Sequence, residues 1–127
     1  RTEDNQTEES CMKSFWRSVR HAFRGSVYAI RNERNFQIEC VAAVAVVLLA
    51  CFFPLSSIER TLIVFLAGWV MAFELINTAI ERMLDIIKPN VHPYVRIVKD
   101  MAAGAVLVSS GVAVVIGLCI FLPHLIG

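Results

Sequence analysis

Two long stretches without charged side chains limit what this chain can fold into. Residues 40–58 contain no Asp, Glu, Lys or Arg, and residues 101–127 contain none either. Each stretch can form a membrane-crossing helix, because about 20 apolar residues span the ~30 Å hydrocarbon layer. Hydrophobic residues make up 57% of the 127-residue chain, whereas soluble domains contain about 45–50%. The sequence therefore predicts a membrane protein.

A third apolar stretch, residues 61–73, is too short to cross the membrane unless its helix continues into the polar residues that follow. Helices are required because the lipid offers no hydrogen-bond partner to an open backbone. We therefore predict an all-α integral membrane protein with an N-terminal amphipathic surface helix and three transmembrane helices. Their approximate ranges, in chain order, are 12–34, 36–54, 58–87 and 96–122.

The segment before the first span, residues 12–34, has the pattern of a surface helix. Apolar residues recur at steps of three and four, and Lys or Arg recurs on another face. A basic amphipathic helix beside a span is typical of one that lies in the membrane interface. The polar residues 1–11 are expected to form a disordered tail, which leaves 12–127 as a single membrane domain.

The basic residues are distributed unevenly between the two sides of the membrane. Residues 11–34 contain one acid, Glu33, and these basic residues: Lys13, Arg17, Arg20, Arg24, Arg31 and Arg34. The first inter-helix loop is neutral, whereas residues 85–100 contain Lys88, Arg96 and Lys99. Because Lys and Arg are enriched on the cytoplasmic side, we expect the N-terminus and the second loop in the cytoplasm and the C-terminus outside.

The second predicted span carries four polar residues on one side of the helix. Glu81 and Asp85 each lie within about 20° of Glu74, and Asn77 lies about 60° away, which makes a stripe ~16 Å long. An acid inside the membrane costs a few kcal/mol and normally faces a functional cavity or partner. An amide such as Asn77 can also serve helix packing alone.

Two other segments bring polar residues to the same cytoplasmic boundary. Glu33 and Glu39 lie where the first span begins, and Lys99 and Asp100 open the third. Carboxylates bind Mg²⁺ together with substrate phosphates, and a Glu in a low-dielectric site can accept a proton from an alcohol. The combination favours phosphoryl transfer from MgATP to a lipid hydroxyl, although the usual nucleotide-binding motifs are absent.

Two other functions are compatible with an intramembrane acid. A small proton-coupled transporter could use Glu74, but the acids cluster at one boundary and the three spans show no inverted repeat. A structural or accessory membrane subunit would tolerate substitution of the polar stripe. We favour the enzyme, because neither alternative requires Glu33, Lys99 and Asp100 at the cytoplasmic edge.

Three motifs resemble those of the small prokaryotic membrane lipid kinases, which include bacterial diacylglycerol kinase and the undecaprenol kinase of Gram-positive bacteria. The motifs are NERNFQIE at 32–39, ELINTAIERMLD at 74–85 and KDMAAGAVL at 99–107. The resemblance implies a homotrimer in the bacterial cytoplasmic membrane, with active sites between protomers and Mg²⁺ bound as MgATP. The segments ERNF, HP and GLCIFLP favour undecaprenol as the substrate, with diacylglycerol second.

The resemblance also implies roles for individual residues. Glu74 corresponds to the general base and Asn77 to its polar neighbour, and the metal-binding carboxylates are Glu33 and Glu81. Further polar residues of the site are Glu39 and Asp85. The implied nucleotide-binding residues are Ser14, Arg17, His21, Lys88, Asn90, Lys99 and Asp100. Ser14 and His21 depart from the diacylglycerol kinase branch, which carries an arginine and an aromatic residue at these positions.

Overall fold

The chain folds into helices that are joined by short connections. The computed structural model describes residues 1–87 and 92–127. Its helices are α1 (Thr2–Asn32), α2 (Arg34–Phe52), α3 (Ser57–Ile86) and α4 (Tyr94–Ile126). Helices α2, α3 and α4 are each long and apolar enough to cross a membrane. The prediction of an all-α protein with three spans is confirmed, and the helix ends differ from the predicted ones by a few residues, except at the start of α1.

The structure continues α1 into the segment for which the sequence predicts a disordered tail. Helix α1 begins at Thr2, and its residues up to 25 are exposed. Glu3 and Asp4 lie in its first turn, where acids stabilise a helix N-terminus. Lys13 forms an ion pair with Glu9 at 2.7 Å, one turn apart. Local helix-stabilising contacts therefore extend α1 through a segment whose polar composition suggested disorder.

A sharp elbow, residues 30–37, connects α1 to α2. Glu33 has an extended backbone (φ −110°, ψ 109°) and ends one helix as the next begins. The Gln37 side chain donates to the carbonyl oxygens of Ile30 at 2.9 Å and Arg31 at 3.4 Å. These carbonyls lack a donor within the helix because they lie at its end. The Gln37 amide therefore fixes the backbone of the elbow.

Helix α3 is the central element of the bundle, since it contacts both α2 and α4. A buried apolar cluster forms where α2 ends, α3 begins and α4 ends, and it consists of Ala50, Leu55, Ile63 and Ile120. Phe53 and Phe121 pack edge to face against this cluster, with ring centroids 5.3 Å apart. This cluster holds the three spans together at the end predicted to face outward.

The connection between α2 and α3 is closed by side-chain hydrogen bonds. Ser56 and Glu59 form a reciprocal capping box at the start of α3. Arg60 donates to the carbonyl oxygens of Ala50 at 3.0 Å and Phe53 at 3.2 Å. Arg60 thereby satisfies two acceptors at the end of α2 and ties this helix to α3.

Arg60→Ala is expected to lower the free energy of unfolding by about 1–3 kcal/mol, because it leaves the Ala50 and Phe53 carbonyls without their charged donor. The measurement is the midpoint of thermal unfolding in mild detergent. Arg96→Ala is the matched control, since Arg96 is exposed and forms no hydrogen bond or ion pair with any residue the structure describes. Equal midpoints for the two variants would contradict this role of Arg60.

Much of the surface of the spans is apolar. Val41 on α2 and Leu107 on α4, for example, are 71% and 74% exposed. Such surface is stable when lipid tails or another membrane helix cover it. The predicted homotrimer would cover part of it and stays a prediction.

Candidate active site

The buried face of α3 changes from apolar to polar along the helix. Its buried residues recur at steps of about three and four, as expected for one side of a helix, and they are Ile63, Leu66, Val70, Glu74, Asn77, Thr78 and Leu84. Glu74 is only 5% exposed. The acid that the sequence places deepest in the membrane therefore faces the bundle and not the lipid.

One turn further along α3, Asn77 and Glu81 form a pair. The Asn77 Nδ2 group donates to Glu81 Oε1 at 3.4 Å, and Asn77 is 7% exposed. Its Oδ1 atom is buried and accepts no hydrogen bond from any residue the structure describes. Leaving such an acceptor unpaired costs about 1–3 kcal/mol. A buried oxygen of this kind is a candidate contact for a metal ion, a water or a substrate.

A third carboxylate approaches from α2. Glu39 and Glu81 both lie close enough to Glu74 to act on its charge electrostatically. Glu39 is half-buried and also lines an apolar cavity of about 460 Å³ between α2, α3 and α4. Glu39 therefore places a carboxylate at the wall of a space that is otherwise lined mainly by apolar side chains.

Glu33, at the elbow, binds α3 through a residue that the sequence analysis did not identify. Both Nε and Nη2 of Arg82 contact Glu33 Oε1, at 2.6 and 2.5 Å. The Glu33 side chain is 17% exposed and that of Arg82 is 55% exposed. The only signal in the sequence is a single cation, Arg82, beside Glu81 in an otherwise acidic stretch of α3. That signal does not name a partner 49 residues away.

The start of α4 joins the same end of the bundle through Lys99. Its Nζ group forms an ion pair with Asp85 Oδ1 at 2.5 Å. Asp100 is exposed. Two of the predicted polar residues are thus brought together across α3 and α4, with the lysine partly exposed beside the acids.

The predicted nucleotide-binding residues of α1 lie apart from these acids. Ser14, Arg17 and His21 are exposed on the outer part of α1. Within the described residues, no hydrogen bond or ion pair links any of the three to α2, α3 or α4. Lys88 and Asn90 lie outside the described residues. Within the described residues, Ser14, Arg17 and His21 therefore make no polar contact with the acids.

The two predicted metal ligands are not brought together as a complete protein cage. In residues 1–87 and 92–127, no group of three or more His, Cys, Asp or Glu could hold a metal ion. Glu33 contacts Arg82 and Glu81 contacts Asn77. The oxygen donors do fit Mg²⁺, which takes one or two carboxylates and completes its shell with substrate phosphates and water. The unpaired Asn77 Oδ1 adds a third oxygen of the kind this cation prefers.

Comparison with known proteins identifies the class. The family model of prokaryotic diacylglycerol kinase matches residues 20–121. An undecaprenol kinase of Bacillus subtilis is 42% identical over 122 residues, which cover 96% of this chain and 99% of that protein. A diacylglycerol kinase of Synechocystis is 38% identical over 110 residues, which cover 86% of this chain and 63% of that protein. A diacylglycerol kinase of Escherichia coli K12 is 35% identical over 95 residues, which cover 75% of this chain and 78% of that protein.

These matches and the three spans define a membrane lipid kinase. The chain belongs to the prokaryotic diacylglycerol kinase family. The family resemblance inferred from the sequence motifs is thereby confirmed. The relatives are enzymes, which favours the kinase over the transporter and the accessory subunit.

Proposed function

We propose that this lipid kinase transfers the γ-phosphate of ATP to the hydroxyl of undecaprenol at the cytoplasmic face of the membrane. The observation that carries the proposal is the buried Glu74, which lies near Glu39 and Glu81. The unpaired Asn77 Oδ1 lies on the same helix face. The N-terminus lies in the cytoplasm and the C-terminus outside, as the distribution of Lys and Arg favours.

Glu74 is the general base. Its carboxylate is buried among the helices, and a positioned carboxylate can accept the proton of an alcohol. The lipid hydroxyl gives its proton to Glu74 as its oxygen attacks the γ-phosphorus of ATP. The bond from that phosphorus to the bridging oxygen breaks, and ADP leaves with the electron pair. Positioned general bases contribute about 10²–10⁴-fold to such reactions.

Mg²⁺ would be held together with the nucleotide. Glu81, Asn77 Oδ1 and the Glu33 carboxylate would hold it, and when bound it would neutralise charge on the phosphates. Contacts within the chain orient two of these ligands: Arg82 contacts Glu33, and Glu81 accepts a hydrogen bond from Asn77. Lys99 and Asp100 lie at the edge of the same site, where Lys99 would compensate further phosphate charge.

The remaining nucleotide contacts come from a neighbouring protomer. Ser14, Arg17 and His21 are exposed and do not contact the acids of their own chain. In a homotrimer with shared active sites, the outer part of α1 from one protomer would lie over the acids of the next. The exposed apolar surface of the spans, such as Val41 and Leu107, provides the area that such an assembly needs.

The lipid chain enters the site from the membrane. The apolar cavity between α2, α3 and α4 has Glu39 among its lining residues, so a hydrocarbon chain there would bring its terminal hydroxyl toward the acids. Undecaprenol is favoured because the relative with 42% identity, matched over 99% of its length, is an undecaprenol kinase. Diacylglycerol is the second candidate.

The substrate is tested by supplying the purified protein with MgATP and either undecaprenol or a short-chain diacylglycerol, side by side in mild detergent. We expect phosphate transfer to both lipid alcohols, with the higher kcat/KM for undecaprenol. A higher kcat/KM for diacylglycerol would reverse the assignment within the family. Transfer to neither lipid by folded protein would contradict both.

A further inference from the structure

We propose that Arg82 is a positioning residue: it ties the elbow to α3 and holds the Glu33 carboxylate in the orientation that Mg²⁺ binding requires. This inference rests on the proposed role of Glu33 as a metal ligand. Arg82 is not one of the residues that the sequence motifs assigned to the site, and its role follows from its contacts.

The contact geometry leaves one oxygen of Glu33 free. Nε and Nη2 of Arg82 both contact Oε1, and Oε2 accepts no hydrogen bond from the residues that the structure describes. A planar guanidinium that contacts an oxygen through two nitrogens restrains the direction of the carboxylate more than a single bond does. Oε2 is therefore presented in a defined direction with its lone pairs available to a cation.

The elbow needs this second restraint. The hydrogen bonds of Gln37 fix the end of α1 relative to α2, but they do not fix the Glu33 side chain relative to α3. Arg82 makes that connection across 49 residues of sequence. The Glu33 side chain is 17% exposed, so the protein covers most of its surface.

The positive charge of Arg82 has an opposite effect, because it repels a cation nearby. Two considerations make this effect the smaller one. The Arg82 side chain is 55% exposed, so solvent and salt weaken the repulsion. Asp85 also acts electrostatically on Arg82, so a second acid offsets part of its positive charge. Removing Arg82 is therefore expected to weaken metal binding, and the sign of the change is measurable.

The test compares Arg82→Ala, Arg82→Lys and Arg34→Ala with the wild-type protein. Arg34 is next to Glu33, is exposed, and forms no ion pair with any residue that the structure describes, so its variant matches the change in charge. Mn²⁺ binding is measured by electron paramagnetic resonance, with a non-hydrolysable ATP analogue present and no lipid. The Mg²⁺ dependence of phosphate transfer supplies KM for the metal and kcat separately, and thermal unfolding checks the fold.

We expect Arg82→Ala to bind Mn²⁺ about tenfold more weakly, as is typical when a residue that orients a metal ligand is removed. The KM for Mg²⁺ should rise more than kcat falls. Arg82→Lys should recover part of the affinity, and Arg34→Ala should match the wild type.

Unchanged or tighter Mn²⁺ binding by Arg82→Ala would overturn the proposal, and so would an equal loss in Arg34→Ala. If Arg82→Ala fails to fold, Arg82→Lys tests the proposal in its place. A wild-type KM for Mg²⁺ in Arg82→Lys would exclude a role for the contact through two nitrogens. If the wild-type protein itself binds no Mn²⁺ with the nucleotide analogue, the metal site of the proposed function fails instead.

Discussion

Glu74→Gln is expected to lower the rate of phosphate transfer about 10³-fold, because Gln cannot accept the proton of the lipid hydroxyl. The two side chains have nearly the same shape, so substrate binding should change little and the loss should lie in kcat. The substitution also removes a poorly solvated acid, and replacing such a group by a neutral one should not reduce stability. The rate is measured as transfer of the labelled γ-phosphate into lipid, and stability as the midpoint of thermal unfolding.

Glu59→Gln is the matched control for this variant. It makes the same chemical change on the same helix, about 22 Å away along the axis. Glu59 accepts a hydrogen bond from the Ser56 backbone at 2.8 Å, and a Gln amide oxygen can replace that contact. The control should retain wild-type transfer. A Glu74→Gln variant with more than about a tenth of wild-type activity would be inconsistent with a general base.

Glu81→Gln is expected to lower transfer by more than about a hundredfold at limiting Mg²⁺, since losing a ligand should exceed the 10–100-fold cost of losing a group that only orients one. Gln at position 81 also removes the negative charge of the carboxylate that accepts a hydrogen bond from Asn77 Nδ2. A weaker metal site is filled at higher metal concentration, so excess Mg²⁺ should restore part of the rate. The measurement is a Mg²⁺ titration of the transfer rate.

The contrast between the two variants separates their roles. Excess Mg²⁺ should leave Glu74→Gln inactive, because the missing group accepts a proton and does not hold the metal. If Glu81→Gln is as insensitive to excess Mg²⁺ as Glu74→Gln, or retains the wild-type KM for Mg²⁺, then Glu81 is not a metal ligand.

The spans and the polar face of α3 follow from local sequence and can be predicted from it. Two long stretches without charge predict two spans, and a shorter one predicts the third when its helix continues into polar residues, because each span must cross the same thickness of hydrocarbon. The helical repeat places Glu74 and Asn77 on one side of α3, and the structure buries both. Composition predicts a disordered tail over the first eleven residues, whereas α1 begins at Thr2 and contacts such as Lys13 to Glu9 favour a helix there.

Contacts between distant segments are beyond such reasoning. Glu33 and Arg82 are 49 residues apart, and their meeting depends on how the elbow directs the chain past α3. The link between Lys99 and Asp85 likewise requires α4 to return beside α3. In the proposed homotrimer, the roles of Ser14, Arg17 and His21 would depend on how protomers assemble, and neither the helical repeat nor the fold of one chain gives that arrangement.

The most direct test of the central claim uses ATP labelled at the γ-phosphate, undecaprenol in mixed micelles, and equal amounts of wild-type, Glu74→Gln and Glu59→Gln protein. We predict that label enters the lipid fraction with the wild type and Glu59→Gln. It should not do so with Glu74→Gln, or with any of them once EDTA removes Mg²⁺. Label transfer by Glu74→Gln at the wild-type rate, or transfer that persists in EDTA, would contradict a Mg²⁺-dependent kinase site built around Glu74.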